Sequence, residues 1–484
     1  MRLAHVLHYV GATVKSRSVV ASLVADLVEE GYMVKVLDIT GGNTIHQDLP
    51  PPWIARLLGH RVLKKAFEQQ LSNLGATLQT LEGGPRFRAP DAVHSAALNQ
   101  ALESELLTYF RSDSIPRTRE ARSLEHKLKN SMERTYQVLE EFWSQESPDL
   151  VLIPNGRTSR QKAARLVAES KSFEIELYEY GRAKPNSYYR GNTQPHDRLA
   201  SQAEVAGLMA ALGPNEIRNL ASSWLADRVS ASSETNQFSA SWKPAGASPA
   251  PTKTQKKAIF FSSSFDEFLA YGPMWRIGEW ENQFEAFDLM MRVLEERGYQ
   301  IAIRLHPNLG LKSRQYFLRE ISDVLTLKSR HPELTIHWHN SVVNSYDLVI
   351  EADIVVVERS TIGLEASLMG KPVWTTQASQ WDLVADVRQI LNPSDVTAES
   401  MAPWRASPMG AQRFVAYWMI QEHPLRFDWS SWSSWNPDKP PLRMKLAQLA
   451  VKNPWSHRLR LITLEWAKWQ NRNFKPPRDS AQNK

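Results

Sequence analysis

The chain has 484 residues, a net charge of +6 and a hydrophobic fraction of 42%, which together predict two domains with sizeable cores. It has no Cys, which excludes disulfides and thiolate metal sites and suits a reducing compartment. No stretch holds the roughly 18 uninterrupted apolar residues of a transmembrane helix, so a cytoplasmic protein, soluble or peripheral, is expected.

The N-terminal run MRLAHVLHYV is broken by His5 and His8 and has no small-residue cleavage site; it reads as a first β-strand, Leu3–Val10. Gly11 follows it and permits close backbone approach, but VGAT is no dinucleotide fingerprint. Further strands are predicted at Met33–Ile39, Leu150–Pro154 and Ile175–Tyr180, with helices at Val19–Glu30 and Arg119–Ser144. Strands alternating with helices imply a parallel sheet covered on both faces. Residues 1–228 therefore form the first α/β domain. Polar groups follow two of its strands: Asn155, Gly156, Arg157 and Arg160 after the third, and Glu179 at the end of the fourth. His196-Asp197-Arg198 comes soon after.

Residues 229–257 are rich in Ser, Ala, Pro and Thr and poor in large aliphatics, as in a flexible linker. A second α/β domain, 258–425, begins with the strand Ala258–Phe261. Ser262-Ser263-Ser264 and Asp266-Glu267 follow it, a hydroxyl-rich loop with acidic groups beside it. Gln283–Arg297 is an amphipathic helix stopped by Gly298. The strand Ile301–Leu305 ends in His306-Pro307, and the Pro stops the ladder. That places His306 on the ligand side of a parallel sheet, where it can bind a phosphate or protonate a leaving oxygen.

VVVERSTIGLEASLMGKPV, residues 355–373, reads as strand, hydroxyl-bearing helix start, short helix, Gly stop and second strand. Ser360 and Thr361 open the helix, where free N–H groups and the dipole suit a phosphate. Glu365 lies one turn on and is expected to face the same pocket and accept ribose or sugar hydroxyls. Beyond residue 426 the chain is Trp-rich and basic. From Pro441 to Lys484, ten Lys or Arg stand against Glu465 and Asp479, so the positive charge of the chain resides in this tail. The remainder is slightly acidic, which argues against a general nucleic-acid binder. Leu442–Phe474 combines that charge with Leu and Trp, as on a helix lying on an anionic membrane or packed back onto the first domain. The chain has no Asp-x-Asp, HExxH, P-loop or GxSxG, so no metal site or cofactor is expected.

Arg304-Leu305-His306-Pro307, Ser360-Thr361 with Gly363 and Glu365, and Gly370-Lys371-Pro372-Val373 resemble the capsule-polysaccharide-biosynthesis type of GT-B glycosyltransferase. Its relatives include bacterial Kdo-transferases, polysialyltransferases and CDP-glycerol glycerophosphotransferases. The resemblance is best over 258–376 and looser over 145–200. It implies a GT-B fold: two Rossmann-like domains facing a central cleft, acceptor domain first and donor domain second. His306, Ser360 and Thr361 would bind the donor phosphate, with Ser263, Ser264, Gly363 and Glu365 completing the donor side. Gly11, Asn155, Gly156, Arg157 and Arg160 would lie on the acceptor side. Glu179 is the first choice for the base and Asp266 the second. The partners implied are a nucleotide-sugar and a saccharide or glycolipid acceptor. A nucleotide-sugar 2-epimerase, a polyol-phosphate transferase or a non-catalytic assembly protein would share the fold.

Overall fold

The computed structural model describes residues 2–8, 14–39, 65–81, 92–110, 114–181, 183–184, 186–208, 210–230, 255–264, 273–397, 399–402 and 404–427. They form two compact units. One takes the described residues up to Phe110, Ser114–Pro195 and 421–427; the other takes those of His196–Ile420.

The first unit runs β1 (Arg2–His8), α1 (Val14–Glu29), β2 (Tyr32–Ile39), β3 (Thr77–Leu81), α2 (Ala92–Phe110), α3 (Arg119–Gln145), β4 (Leu150–Pro154), α4 (Ser159–Ser170), β5 (Glu174–Tyr180) and β6 (Ser187–Gly191). Strands β3, β2, β1, β4 and β5 lie side by side and parallel. That is the Rossmann order 3-2-1-4-5. The central strands are buried on both faces, as βαβ crossovers require. Two hydrophobic clusters, one containing Leu7, Leu37, Leu139 and Val151, the other Val6, Val20, Val36 and Leu152, form the core. β6 is antiparallel to β5. β3 and β6 carry too many polar residues to stand out in the sequence.

The second unit runs α5 (Arg198–Leu208), α6 (Pro214–Val229), β7 (Lys256–Phe261), α7 (Gln283–Glu296), β8 (Tyr299–Arg304), α8 (Arg314–Arg330), β9 (Thr335–His337), α9 (Ser345–Glu351), β10 (Ile354–Val357), α10 (Thr361–Leu368), β11 (Val373–Thr375), β12 (Arg388–Gln389) and α11 (Met409–Gln421). Its sheet, β9-β8-β7-β10-β11-β12, is parallel throughout and has the order 3-2-1-4-5-6. Asn282 caps α7, accepting from Phe284 N (2.9 Å) and Glu285 N (3.1 Å). Gly298, at φ +76°, takes the left-handed conformation that stops this helix. The α/β class and the two Rossmann-like sheets are as expected.

The division of the chain differs from the expectation. Residues 198–230 group with the second unit, not the first. Arg198 donates to both oxygens of Asp382 (2.9 and 2.8 Å), and Arg228 pairs with Glu365. Conversely, β13 (Glu422–Pro424) leaves the second unit and pairs antiparallel with β6. The Glu422 carboxylate draws it there, accepting from Ala183 N (2.7 Å), Lys184 N (2.8 Å) and Ser187 Oγ (2.7 Å). These charged side chains act across long sequence separations, which composition does not register. Most of the expected linker and the basic tail past 427, with its membrane expectation, lie outside the described residues. Among the described residues, no helix is long and apolar enough to cross a membrane.

Candidate functional site

In an open parallel sheet the ligand crevice lies at the carboxyl ends of the strands, where the order reverses. In the second unit that point is between β7 and β10. The register pairs Phe261 with both Arg304 and Val357, so β7, β8 and β10 end level. The three segments singled out in the sequence leave from these ends: Ser262–Ser264, Leu305–Pro307 and Glu358–Thr361.

Ser262 is spent on this meeting. Its N–H donates to Arg304 O (3.0 Å), and its Oγ accepts from His306 N (2.9 Å). Ser263 is spent too: its Oγ accepts from Arg359 N (3.3 Å). Gln283, the first residue of α7, holds the Ser263 backbone from both sides, accepting from its N–H (2.8 Å) and donating to its carbonyl (3.2 Å). Ser264 is different. It is 4% exposed and its Oγ has no hydrogen-bond partner. Buried hydroxyls are nearly always bonded, which sets this one apart from its two neighbours.

His306 is half-buried, and its Nδ1 accepts from Asn308 N (3.0 Å), capping the 3-10 turn Pro307–Leu311. That bond leaves the proton of the neutral ring on Nε2. Ser360 caps α10, its Oγ accepting from Ile362 N (3.5 Å), and Thr361 is exposed at the first helical position. The helix start, the hydroxyls and His306 are thus brought to one end of one sheet.

Two other residues of the expected donor side have different surroundings. Glu365 is buried at 2% exposure and bound to Arg228, with the Tyr346 hydroxyl also on it. Burial pushes its carboxyl up from the ordinary value, and Arg228 and Tyr346 pull it back. It braces α6 and α9 against α10, so an internal ion pair engages the carboxylate that was expected to accept ligand hydroxyls. Gly363 leaves room for packing. A Cβ there would lie 2.6 Å from Trp381 Cη2 and 2.9 Å from Val357 Cγ2. Gly363→Ala is expected to destabilise the protein by about 1–3 kcal/mol through overpacking, read from chemical unfolding; a loss under about 0.5 kcal/mol would show that α10 can shift freely.

Glu358, Arg359 and Arg304 line the same end but point into the protein. Arg359 Nη2 donates to Glu358 Oε1 (3.0 Å) and Nη1 to Trp275 O (3.0 Å). Burial pushes the Glu358 carboxyl up, against the pull of Arg359. Arg304 donates to Trp338 O and to Ser341 O (3.1 Å), and burial lowers its pKa to about 10. These groups fix the loops that carry Ser262–Ser264 and Ser360. Sequence reasoning missed Gln283, Trp275 and Arg228, since nothing marks a helix Gln or a distant Arg as a loop anchor.

In the first unit, Asn155 (φ +54°) and Gly156 (φ +72°) turn the chain after β4, and Asn155 N donates to Tyr178 O (2.9 Å), next to Glu179. Glu179 is half-buried on β5 opposite Tyr189. Arg157 is tied to α2, donating to Ser104 Oγ (2.7 Å) and Thr108 Oγ1 (3.3 Å). Ser159 N (2.9 Å) and Oγ both donate to Glu105. A carboxylate of the chain itself therefore occupies the start of α4, and Arg160 is buried beside it. This corner fastens α4 to α2, and Arg157, expected on the acceptor side, takes part in that tie. Gly11 and Asp266 lie outside the described residues.

No protein-family model and no curated protein matches the chain. Among solved structures it is similar to the beta-Kdo 2,7-transferase of KpsC from Thermosulfurimonas dismutans, at 18% identity over 58% of this chain and 79% of that one, with a TM-score of 0.33. It is also similar to a UDP-GlcNAc 2-epimerase from Neisseria meningitidis, at 12% identity over 87% of this chain and all of that one, with a TM-score of 0.29. A third is the glycotransferase of kitacinnamycin, at 9% identity, 98% and 99% coverage and a TM-score of 0.25. Likenesses this distant do not separate one activity from another.

Proposed function

We propose that this chain is a GT-B-type glycosyltransferase that moves a sugar from a nucleotide-activated donor to a saccharide or glycolipid acceptor in surface-polysaccharide synthesis. The observation that carries the reading is the meeting of Ser264, His306 and the Ser360–Thr361 helix start at the switch point of a 3-2-1-4-5-6 sheet. A diphosphate there would meet a helix N-terminus, an unused buried hydroxyl and the His306 ring, which suits the charge that develops on a leaving phosphate. Glu179, the residue the sequence resemblance favours, is kept as the first choice for the base that activates the acceptor.

Incubation with CMP-, CDP-, UDP- and GDP-linked sugars and activated polyols tests the reading. Transfer to a saccharide or to water supports it. Epimerisation without transfer, or binding without turnover, would replace it with another activity on the same architecture.

The missing Asp-x-Asp motif carries a further expectation: the donor phosphates are met by the helix start and side chains. Turnover should persist in excess EDTA. Activity lost to the chelator and restored by magnesium or manganese would count against that scheme.

Ser264→Ala is expected to weaken nucleotide binding about fivefold to tenfold, the scale of one lost hydrogen bond. It should not lower the unfolding midpoint, since no internal bond is broken and an unpaired buried hydroxyl is removed. Ser262→Ala and Ser263→Ala should instead lower stability, because each removes a bond between loops. Equal effects of all three on unfolding would sink the distinction.

A further inference from the structure

At the carboxyl ends of β1 and β2, in the first unit, lies a second polar group that the proposed function does not use. His8 and Asp38 are register partners on these strands, and Arg17 stands in the first turn of α1. All three are buried, at 5%, 2% and 5% exposure respectively. Phe67 packs against the His8 ring, with centroids 5.1 Å apart. His8 Nδ1 and Arg17 Nη1 are both shut off from solvent and have no hydrogen-bond partner. Each of these unpaired buried atoms carries a desolvation cost that a bound partner would relieve.

We propose that this end of β1 and β2 is a buried hydroxyl-binding site, in which Arg17 Nη1 donates to, and His8 Nδ1 accepts from, a hydroxyl of a saccharide. The charge balance selects a neutral ligand. Asp38 attracts Arg17 and offsets its charge, so an added anion would be a buried charge without compensation. Burial and the neighbouring Arg17 hold His8 neutral, with a pKa lowered to about 3. A neutral imidazole offers an acceptor as well as a donor. A hydroxyl both accepts and donates, and so matches this pair of atoms. A base with so low a pKa is too weak to take a proton at neutral pH, which makes the role one of binding and orientation. That the hydroxyl belongs to a saccharide rests on the glycosyltransferase reading.

The test uses the full-length protein with carbon-13 at the histidine Cε1 positions. The His8 and His306 signals are assigned with His8→Gln and His306→Asn. Methyl glycosides of glucose, galactose and N-acetylglucosamine are titrated in, then inorganic phosphate, then nucleoside diphosphates. At least one glycoside is expected to move the His8 signal saturably, and phosphate is not. Arg17→Met should weaken that response about tenfold, as loss of a charged donor would. Should that variant not fold, the wild-type titrations still decide. A His8 signal moved by phosphate but by no glycoside, or by neither, overturns the proposal. If nucleotides move His306 while no glycoside moves His8, the site falls and the donor reading stands. If a glycoside moves His8 while nucleotides leave His306 unmoved, the site stands and the donor reading falls.

Discussion

Replacing Arg228 by Met is expected to destabilise the second unit by about 3–5 kcal/mol at neutral pH, the cost of stripping one partner from a buried ion pair. Arg228 and Glu365 have side-chain exposures of 16% and 3%, so water cannot stand in for the lost guanidinium. Met keeps an unbranched apolar stem while giving up both the ion pair and the guanidinium's place over Trp224, whose ring centroid lies 4.9 Å from Arg228 Cζ. The effect should depend on pH. Burial pushes the Glu365 carboxyl above its ordinary value of 4.5, and without Arg228 less opposes that push. The folded variant then binds a proton that the unfolded chain does not, so its stability is greatest below the unfolded value and is lost as pH rises through the folded one. The deficit relative to wild type should therefore shrink from pH 7 toward about pH 5. Arg228→Met combined with Glu365→Gln should recover most of the loss. Urea unfolding at the two pH values measures this. A deficit under about 1 kcal/mol, or one that does not change with pH, would mean that solvent reaches the pair.

His306→Asn is expected to cut turnover at least tenfold, about 1.4 kcal/mol of transition-state stabilisation, with little effect on folding. Asn is chosen because the imidazole also caps the Pro307–Leu311 turn. An Asn carbonyl can accept the Asn308 N–H in its place, so the cap survives while the Nε2–H donor is lost. A residue that binds only the ground state would raise KM and spare kcat; one that meets the leaving phosphate lowers kcat. Wild-type kinetics with an unchanged unfolding curve would remove His306 from the site. Loss of activity together with a large loss of stability would reduce it to a cap.

Much of the arrangement proposed as the donor side is legible in the sequence, because its parts are local. A buried strand followed by Pro fixes where β8 ends, and with it His306. Ser360 before a short apolar helix announces an N-cap. Gly298 and Gly370 mark helix stops through the positive φ that only Gly adopts cheaply. Parallel strands read as apolar runs since both faces are covered. The two α/β sheets follow from this rhythm.

Tertiary structure decided the rest, because the deciding contacts join residues far apart in the chain. Glu365 stands at helical spacing from Thr361, and only the fold shows that a guanidinium 137 positions away pairs with it. Arg157 follows β4 in the chain, and only the fold shows that Ser104 and Thr108 hold it. Among three equivalent serines, only the register of β7 with β8 and β10 shows that two are spent on loops and one is left over. Glu422 draws the chain past α11 onto the first sheet by satisfying three donors near residue 185, and so moves the boundary between the units. His8, Arg17 and Asp38 are ordinary residues of a strand, a helix and a strand until the pairing of β1 with β2 buries them together. Local backbone chemistry is written in neighbouring residues. Which buried polar atoms find partners depends on the packing of distant ones, and no stretch of neighbouring residues records that selection.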